Sequence, residues 1–558
     1  MKTLERLLTE MARPLAGFMA ALFIVLALSA AFLAGPGGAA TGQGDGPVKL
    51  SFTFRDFPAV QHRPVSIAFP RDEKILRDKL NMKGTVTVIS SLTPIHTLTF
   101  DEADNLWTGT ESGAVMRRED GAWSLLNTLT GLSYHRITSL APAPSGLFMG
   151  ASPLSPVSSQ WGGTLMRYDL KDRNVLPFGK KQGFTAGRVN CLLPCENLLY
   201  IGTDNGLSFL DIAHNRIIYS REAMNVQSLT LDGSRLLVET KSGLPRSNDL
   251  LDYNLETKVS TKSEAASHLG FDVLASSALL GDHLWLTGWM VDSRDRKNPR
   301  QVFGGLKYYD LTRKKLFTAE IPKDIYRDWL LVREAGGSLW LLSDEGFGIA
   351  KDVSVEFYRV PELRGSAAPR MVARSGKGDI WMAGPSQLIR FSPARIECHD
   401  FSGSLSDNSI TAMITASGSL WAGTGAGFIN RISPAGKVER IYGEKDGLSG
   451  QAVTELFRDS AGALYARYET SIPSPSYIAG KGSAITYLKY VDGEDRWTAA
   501  DVSKSEERFV DLQSLPHQYR ILAEKLRLET GGRESLFLED RASVWLANYG
   551  SGIVRVEK

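Results

Sequence analysis

The chain has 558 residues, with 64 Lys and Arg against 62 Asp and Glu, so its net charge at pH 7 is only +2. This balance gives no support to a dedicated nucleic-acid-binding protein, which would show a strongly basic face. The 53 glycines and the 43% hydrophobic content favour a fold of many short strands joined by turns.

The N-terminus contains an uncharged apolar stretch, Leu15–Ala34, which is long enough to cross a bilayer as a helix. Basic residues precede it, at Lys2, Arg6 and Arg13. We therefore interpret residues 1–35 as an uncleaved signal-anchor that leaves the remainder outside the cytoplasm. Cleavage after a signal peptide is the alternative, and it would release a soluble exported protein. Residues 36–83 form a Gly-rich linker and N-terminal extension in this interpretation.

From residue 84 to residue 558 one pattern recurs about every 40–44 residues: an apolar run, a polar turn, an aromatic run, and a third run after Gly. Ser419–Gly427, which reads SLWAGTGAG, is a clear copy, and Asn105–Gly113 is another. In the copy at 410–442, four runs predict strands A to D of one sheet, with A innermost. The repeat predicts an all-β β-propeller of about ten four-stranded modules. The second run of each module centres on Trp107, Phe148, Tyr200, Val238, Trp285, Trp340, Trp381, Trp421, Tyr465 and Trp545.

The last module, which ends with Gly552–Val556, lacks a fourth strand, while a spare strand-like run, Gly84–Ser90, lies ahead of the first module. We expect these two segments to pair, because the pairing completes the last sheet and covers its edge. The pairing would join the chain ends, which favours one ring closed by an N-terminal strand. Two smaller rings remain the alternative, because ten modules exceed the usual range of about 4–8.

The linker Asp446-Gly-Leu448, followed by a strand, a Gly turn and Leu-Trp-x-Gly-Thr-x-x-Gly, resembles the two-component regulator propeller family. The resemblance covers residues 84–558 and is weak in the fourth module, where Leu236–Glu239 lacks the aromatic residue. It implies an extracytoplasmic sensor propeller. No kinase or receiver segment follows the repeats, so the resemblance extends only to ligand or partner sensing.

Catalytic and metal-binding patterns are not recognisable, and we expect no cofactor. Gly423–Gly427 is followed by a strand, so it indicates a turn between strands B and C and not a dinucleotide loop. Asp101, Asp104 and Asn105 indicate a turn stabilised by their side chains in preference to a calcium site. Cys191 and Cys195 flank a predicted turn; we favour free thiols, and a local disulfide is the alternative.

Insertions are concentrated between strands B and C, and the longest excursion, 501–532, lies between a D strand and the next A strand. Both kinds of connection emerge on one face of a propeller, and long loops on a rigid scaffold are where binding residues concentrate. A helical insertion is predicted at about 503–528, packing on this face or docking a partner helix. The candidate binding residues are Trp161, Trp289, Arg294, Arg296, Lys297, Arg300, Phe303 and Tyr477.

These observations predict a membrane-anchored extracytoplasmic propeller that binds a protein partner or a carbohydrate ligand on the insertion face and catalyses nothing. A propeller enzyme, acting as a lyase or hydrolase on a polysaccharide or small molecule, is one alternative. A structural envelope scaffold is another. No nucleic-acid partner is expected.

Overall fold

The computed structural model of the chain describes residues 48–57, 59–74, 84–144, 146–153, 164–184, 187–241, 248–263, 271–292, 300–351, 353–470, 484–501, 516–525, 536–548, 550 and 552–558. Its strands form ten sheets, each with four antiparallel strands, which confirms the predicted all-β propeller fold with ten modules. Five strands precede the repeats: β1 Val48–Lys49, β2 Ser51–Asp56, β3 Gln61–Ser66, β4 Arg71–Asp72 and β5 Val86–Ile89.

The sheets are numbered in chain order, with their strands given from A to D. Sheet 1 contains β6 Ile95–Phe100, β7 Leu106–Thr110, β8 Gly113–Arg117 and β9 Trp123–Leu126. Sheet 2 contains β10 Arg136–Ala143, β11 Gly146–Ser152, β12 Leu165–Asp169 and β13 Val175–Phe178. Sheet 3 contains β14 Val189–Cys195, β15 Leu198–Thr203, β16 Gly206–Asp211 and β17 Arg216–Glu222. Sheet 4 contains β18 Asn225–Asp232, β19 Arg235–Lys241, β20 Asn248–Asn254 and β21 Ser260–Lys262. Sheet 5 contains β22 Val273–Leu280, β23 His283–Asp292, β24 Arg300–Asp310 and β25 Lys315–Glu320.

Sheet 6 contains β26 Leu330–Ala335, β27 Ser338–Ser343, β28 Gly346–Lys351 and β29 Ser354–Arg359. Sheet 7 contains β30 Met371–Arg374, β31 Ile380–Ala383, β32 Leu388–Ser392 and β33 Arg395–Ser402. Sheet 8 contains β34 Ile410–Ala416, β35 Ser419–Thr424, β36 Ile429–Ile432 and β37 Val438–Tyr442. Sheet 9 contains β38 Val453–Arg458, β39 Leu464–Thr470, β40 Ala484–Val491 and β41 Arg496–Ala500. Sheet 10 contains β42 Leu536–Glu539, β43 Ser543–Asn548, β44 Gly552–Glu557 and, as its D strand, β5.

The recurring glycine in strand B has a packing reason. A Cβ added at Gly423 would lie 2.5 Å from Cγ1 of Val453, on the first strand of the next sheet. Glycines two residues after the strand-B aromatic meet a β-branched residue of the next sheet in the same way in three further sheets: Gly109 against Ile137, Gly150 against Val189 and Gly202 against Val226. The repeat motif therefore encodes close approach between sheets, because only glycine leaves room there.

The predicted pairing of the chain ends is confirmed. Strand β5 pairs antiparallel with β44, with Ile89 opposite Ile553 and Val86 opposite Val556. Both strands are buried, and Val86, Val88, Val554 and Val556 share one apolar cluster. The N-terminal strand therefore supplies the fourth strand of the last sheet.

The expected single ring of ten sheets is wrong, because the first seven sheets close on themselves. Apolar clusters join each neighbouring pair of sheets from 1 to 7. A seventh cluster then joins sheet 7 to sheet 1, through Trp381 and Phe401 on one side and Ile95 and Leu106 on the other. We call sheets 1–7 the seven-sheet ring and the line of contact between sheets 7 and 1 the seam.

Sheets 8–10 form a separate stack, the three-sheet unit. Sheet 8 lies in the middle, packed against sheet 9 on one face and against sheet 10 on the other. The far face of sheet 10 is covered by helix α1, His517–Lys525, which begins directly after Pro516. Tyr519 and Leu522 of α1 are buried against this sheet. The described part of the predicted helical insertion therefore packs on a sheet, where we expected it on the loop face.

Part of the predicted linker forms edge strands. Strands β1, β2 and β3 run parallel to the outermost strands of sheets 5, 6 and 7. Strand β4 then pairs with β5 at the edge of sheet 10. Val65 and Ile67 at the end of β3 are buried in the seam cluster. This N-terminal segment therefore covers three sheet edges of the ring and reaches the three-sheet unit, a long-range pairing that the sequence did not reveal.

Asn408 connects the ring with the three-sheet unit. Its Oδ1 accepts a hydrogen bond from the backbone N–H of Ser91 at 2.7 Å, and its Nδ2 donates to Oγ of Ser112 in sheet 1 at 2.8 Å. Its backbone oxygen accepts from the N–H of Gly550 in the three-sheet unit at 2.9 Å. One buried residue therefore holds three chain segments together.

Two other expectations concern the cysteines and the membrane anchor. All three cysteines are free, as favoured for Cys191 and Cys195. Burial raises the pKa of the Cys191 thiol to about 12. Among the residues described above, no helix is long and apolar enough to span a bilayer; the predicted anchor, Leu15–Ala34, lies outside them.

Candidate functional site

Three of the candidate binding residues lie in strands and not in a loop, which corrects the expectation for this insertion: Trp289, Arg300 and Phe303. Strands β23 and β24 extend beyond the neighbouring strands of sheet 5 and form what we call the sheet-5 hairpin. Trp289 lies opposite Phe303 in this hairpin, with ring centroids 6.0 Å apart. Phe303 also packs against Tyr326, with centroids 4.6 Å apart. The aromatic pair therefore anchors the hairpin on the body of the ring.

The adjacent cross-strand pair of the hairpin faces solvent. Met290 lies opposite Val302, and the two side chains are 40% and 38% exposed. Neighbouring strand residues alternate between the two faces of a hairpin, so the packed pair Trp289 and Phe303 leaves this pair outside. An exposed apolar pair on a rigid hairpin is suited to protein contact.

The other candidate residues are not brought together within the described part of the chain. Arg300 begins β24, and its side chain is not described. The rest lie outside the described residues: Trp161, Arg294, Arg296, Lys297 and Tyr477. A common surface for the whole set stays a prediction.

A cleft opens at the seam, at the opposite end of the sheets from the hairpin. Its volume is about 190 Å³. In sheet 1 the lining comes from the A–B turn and from the end of strand C with the turn that follows it. In sheet 7 it comes from the A–B turn and from strands B and C. The lining residues are Phe100, Asp104, Leu106, Arg117, Glu119, Ser375, Lys377, Asp379, Trp381 and Arg390. We call this feature the seam cleft.

Arg117 is the central cation of the seam cleft. Its guanidinium carbon lies 5.3 Å from the ring centroid of Trp381 and 5.8 Å from that of Trp123. Burial, and secondarily the positive charge of Arg390, lower the pKa of Arg117 from its usual value. Its Nε is buried, and no described residue accepts a hydrogen bond from it. The two indoles therefore hold a cation whose buried Nε is not used by a described acceptor, a feature that Arg167, Arg431 and Arg555 share.

The other two cations of the seam cleft are paired with carboxylates. Arg390 donates to Asp379 at 2.8 Å, and Lys377 of sheet 7 forms an ion pair with Glu119 of sheet 1. Asp104 accepts a hydrogen bond from the backbone N–H of Gly376 at 2.7 Å. These contacts hold the rim of the cleft together across the seam.

His399 packs beside Trp381 of the cleft lining: its ring centroid is 4.9 Å from that of Trp381 and 6.0 Å from that of Trp123. Burial lowers the pKa of His399 to about 4, against the opposing effect of Glu397. The imidazole is therefore neutral at pH 7. A further positive charge beside Arg117 and Arg390 is thereby avoided.

Glu111, in the turn between strands B and C of sheet 1, forms a second polar cluster. It accepts from Nε of Arg136 at 2.9 Å and lies 2.9 Å from Nε2 of His96. Burial raises the pKa of Glu111, but the hydrogen bonds from His96 and Arg136 outweigh it and lower the pKa overall. A carboxylate whose ionised form is favoured by these hydrogen bonds is suited to bridging sheets 1 and 2 and not to donating a proton.

The turn at Asp101 follows the interpretation made from the sequence. Its carboxylate accepts hydrogen bonds from the backbone N–H of Asn105 at 2.9 Å and from Nε1 of Trp107 at 2.7 Å. Asp540 has the same role in sheet 10, where it accepts from Nε1 of Trp545 at 2.8 Å. In these two sheets the aspartate therefore orients the strand-B indole, whereas the indoles of Trp340 and Trp421 donate to the backbone oxygens of Ala335 and Ala416.

The seam cleft was missed from the sequence. The turn Gly376–Asp379 is short and carries no recognisable motif in the sequence. Arg117 and Trp381 are far apart in the chain and belong to no shared motif, so only the closure between sheets 7 and 1 brings them together.

Comparisons with known proteins find no matching family model and no matching curated protein. Solved structures with similar folds include the WD40 domain of Neurospora crassa Pan2, with 10% identity and a TM-score of 0.37, over 52% of this chain and 86% of that one. The WD40 β-propeller domain of Doa1 has 12% identity and a TM-score of 0.37, over 55% and 97%. The extracellular domain of a one-component system protein from B. thetaiotaomicron has 14% identity and a TM-score of 0.26, over 85% and 78%.

Proposed function

We propose that this chain is a non-catalytic, extracytoplasmic propeller that binds a protein partner through the sheet-5 hairpin. The exposed Met290–Val302 pair is the observation that carries the proposal. Behind it, Trp289 and Phe303 pack toward Tyr326, so the exposed pair sits on a rigid support. A rigid apolar contact surface loses little conformational entropy when a partner binds.

The charge of the hairpin connection favours a partner with an acidic surface. By sequence, Arg294, Arg296 and Lys297 lie between β23 and β24, and Arg300 begins β24. Positive charge around an apolar centre increases the rate of association with an acidic surface and its specificity. The proposed partner therefore presents an apolar patch with acidic residues around it.

The proposal places the propeller outside the cytoplasm and anchored by Leu15–Ala34. The support is the uncharged apolar stretch with basic residues ahead of it. Sequencing of the mature N-terminus tests the anchor: retention of residues 1–35 agrees with it, and a start near Thr41 contradicts it.

The hairpin is tested with Met290→Asp combined with Val302→Asp in the full-length protein. A matched control places aspartate at Leu176 and Ile218, which are 42% and 54% exposed on the outer strands of sheets 2 and 3. Partners are captured by crosslinking on intact cells and quantified by mass spectrometry. The hairpin variant should lose about thirtyfold of specific capture, since central interface residues typically contribute about 2 kcal/mol or more.

The control variant should retain capture, and both variants should melt like the wild type. Equal capture by the hairpin variant and the wild type would refute the hairpin as the contact site. Loss in the control alone would move the binding surface to the outer edges of sheets 2 and 3.

A further inference from the structure

We propose that the seam cleft binds a small organic carboxylate that carries hydroxyl groups. This site lies at the opposite end of the sheets from the sheet-5 hairpin and is independent of the function proposed for the hairpin. The observation behind it is Arg117, a cation that lines the cleft and whose buried Nε has no described hydrogen-bond acceptor.

Arg117 differs from comparable arginines of this chain. Among the described residues, three other arginines lie over the strand-B aromatic of a sheet, and each also has an oxygen partner. Arg167 lies over Phe148 and donates to Asn215 at 2.9 Å, Arg431 lies over Trp421 and donates to Asp495 at 3.4 Å, and Arg555 lies over Trp545 and donates to Glu557 at 3.4 Å. The buried Nε lacks an acceptor in all four arginines, so the difference lies in the terminal nitrogens. Among the described residues, Arg117 is the member of this group without an oxygen partner there, and it is the one that lines the cleft.

The other cations of the cleft do not have this free capacity. Arg390 is bound to Asp379, and Lys377 is paired with Glu119. A ligand that supplies an acceptor to Arg117 would therefore fill a hydrogen-bonding position of the cleft without breaking either of these pairs. Hydrogen bonds between a guanidinium and a carboxylate are charge-assisted and can be bidentate. A carboxylate is therefore a suitable acceptor for the guanidinium of Arg117.

The three carboxylates of the lining restrict the ligand further. Asp104, Glu119 and Asp379 would repel a multiply charged anion such as phosphate, while one carboxylate charge can be balanced by Arg117. The same oxygens can accept hydrogen bonds from ligand hydroxyl groups. A volume of about 190 Å³ is below the roughly 300–1,000 Å³ of pockets for drug-sized molecules, so the ligand is small.

The test uses the folded full-length protein and measures ligand-induced thermal stabilisation and calorimetric binding. The probes are L-lactate, D-glucuronate and L-tartrate as hydroxylated carboxylates, D-glucose as the neutral counterpart of glucuronate, and inorganic phosphate. We expect at least one monocarboxylate to bind with saturation and to raise the melting temperature, because a ligand that binds only the folded state stabilises it. Tartrate, glucose and phosphate should bind at least tenfold more weakly.

Variants assign the binding to Arg117. Arg117→Gln should lower the affinity for the best carboxylate at least tenfold, and Arg117→Lys should lower it less, because the charge is kept while the fork is lost. Arg167→Gln is the matched control, since it removes a stacked arginine that does not line the cleft. Its affinity should equal that of the wild type.

Any of three results would overturn the proposal. The first is that the wild-type protein binds none of the carboxylates, and the second is that it binds phosphate as tightly as the carboxylates. A folded Arg117→Gln variant that binds the carboxylate as tightly as the wild type would be the third. If Arg117→Gln does not fold, the Arg117→Lys variant decides, and unchanged affinity there overturns the bidentate contact. Failure here leaves the hairpin result unaffected, because that experiment changes no residue of the cleft.

Discussion

Replacing Asn408 with alanine should weaken the connection between the seven-sheet ring and the three-sheet unit. The substitution removes the side-chain acceptor of the Ser91 N–H and the donor to Ser112 Oγ. Both serines are fully buried, so water does not replace the lost partner. A buried polar group without a partner costs about 1–3 kcal/mol, so two such groups together destabilise this junction by about 2–6 kcal/mol.

Hydrogen exchange followed by mass spectrometry measures this effect at the junction. Exchange of the peptide around Ser91 should be at least about thirtyfold faster in Asn408→Ala, which corresponds to about 2 kcal/mol. Asn430→Ala is the matched control, because buried Asn430 accepts from the N–H of Ser406 at 2.9 Å and donates to its Oγ at 3.0 Å. The control should accelerate exchange at Ser406 and leave Ser91 protected.

Unchanged protection of Ser91 in Asn408→Ala would refute the reasoning, because it would mean that the Oδ1 hydrogen bond does not stabilise the junction. Acceleration at Ser91 in both variants would also contradict it, since the two junctions would then open together. In each case the ring and the three-sheet unit would be held by other contacts.

Two further predictions concern pH and the N-terminal strand. The pKa of His399 is lowered to about 4, so burial of its neutral form is compatible with the fold above pH 6.5, and stability is lost as pH falls toward 4. Urea titrations should show that the His399→Gln variant, although less stable at pH 7, loses less free energy of unfolding over this pH interval than the wild type. Deleting residues 84–91 removes β5 and exposes the edge of β44, so scanning calorimetry should find a clearly lower melting temperature and light scattering should find aggregation. A monomeric deletion variant that melts like the parent would contradict a stabilising role for the pairing of β5 with β44.

The parts of the fold that could be predicted are those determined by residues close together in the sequence. Each module carries its strands, turns and strand-B glycine within about 40 residues, and the pairing of β5 with β44 followed from one strand missing and one to spare. The closure after seven sheets could not be predicted, because it depends on how Trp381 and Phe401 fit against Ile95, and apolar residues in every sheet have the same pattern.

The functional residues were harder to predict for a related reason. Trp289 and Phe303 were expected in a loop because their insertion is long, yet cross-strand pairing continues through both residues. The seam cleft combines side chains from two sheets at opposite ends of the ring sequence. Residues that only ring closure brings together have no characteristic spacing in the sequence, so a motif search does not find them.

The edge strands at the N-terminus impose an order on biosynthesis. Gln61 pairs beside Glu397, and Ser51 beside Ser354, so each edge strand is made hundreds of residues before the sheet that receives it. At roughly 5–20 residues per second, the segment stays unpaired for tens of seconds during translation. The segment can pair only after sheets 5–7 have been made, so it folds late. Until then it is an extended peptide that is accessible to proteases and chaperones.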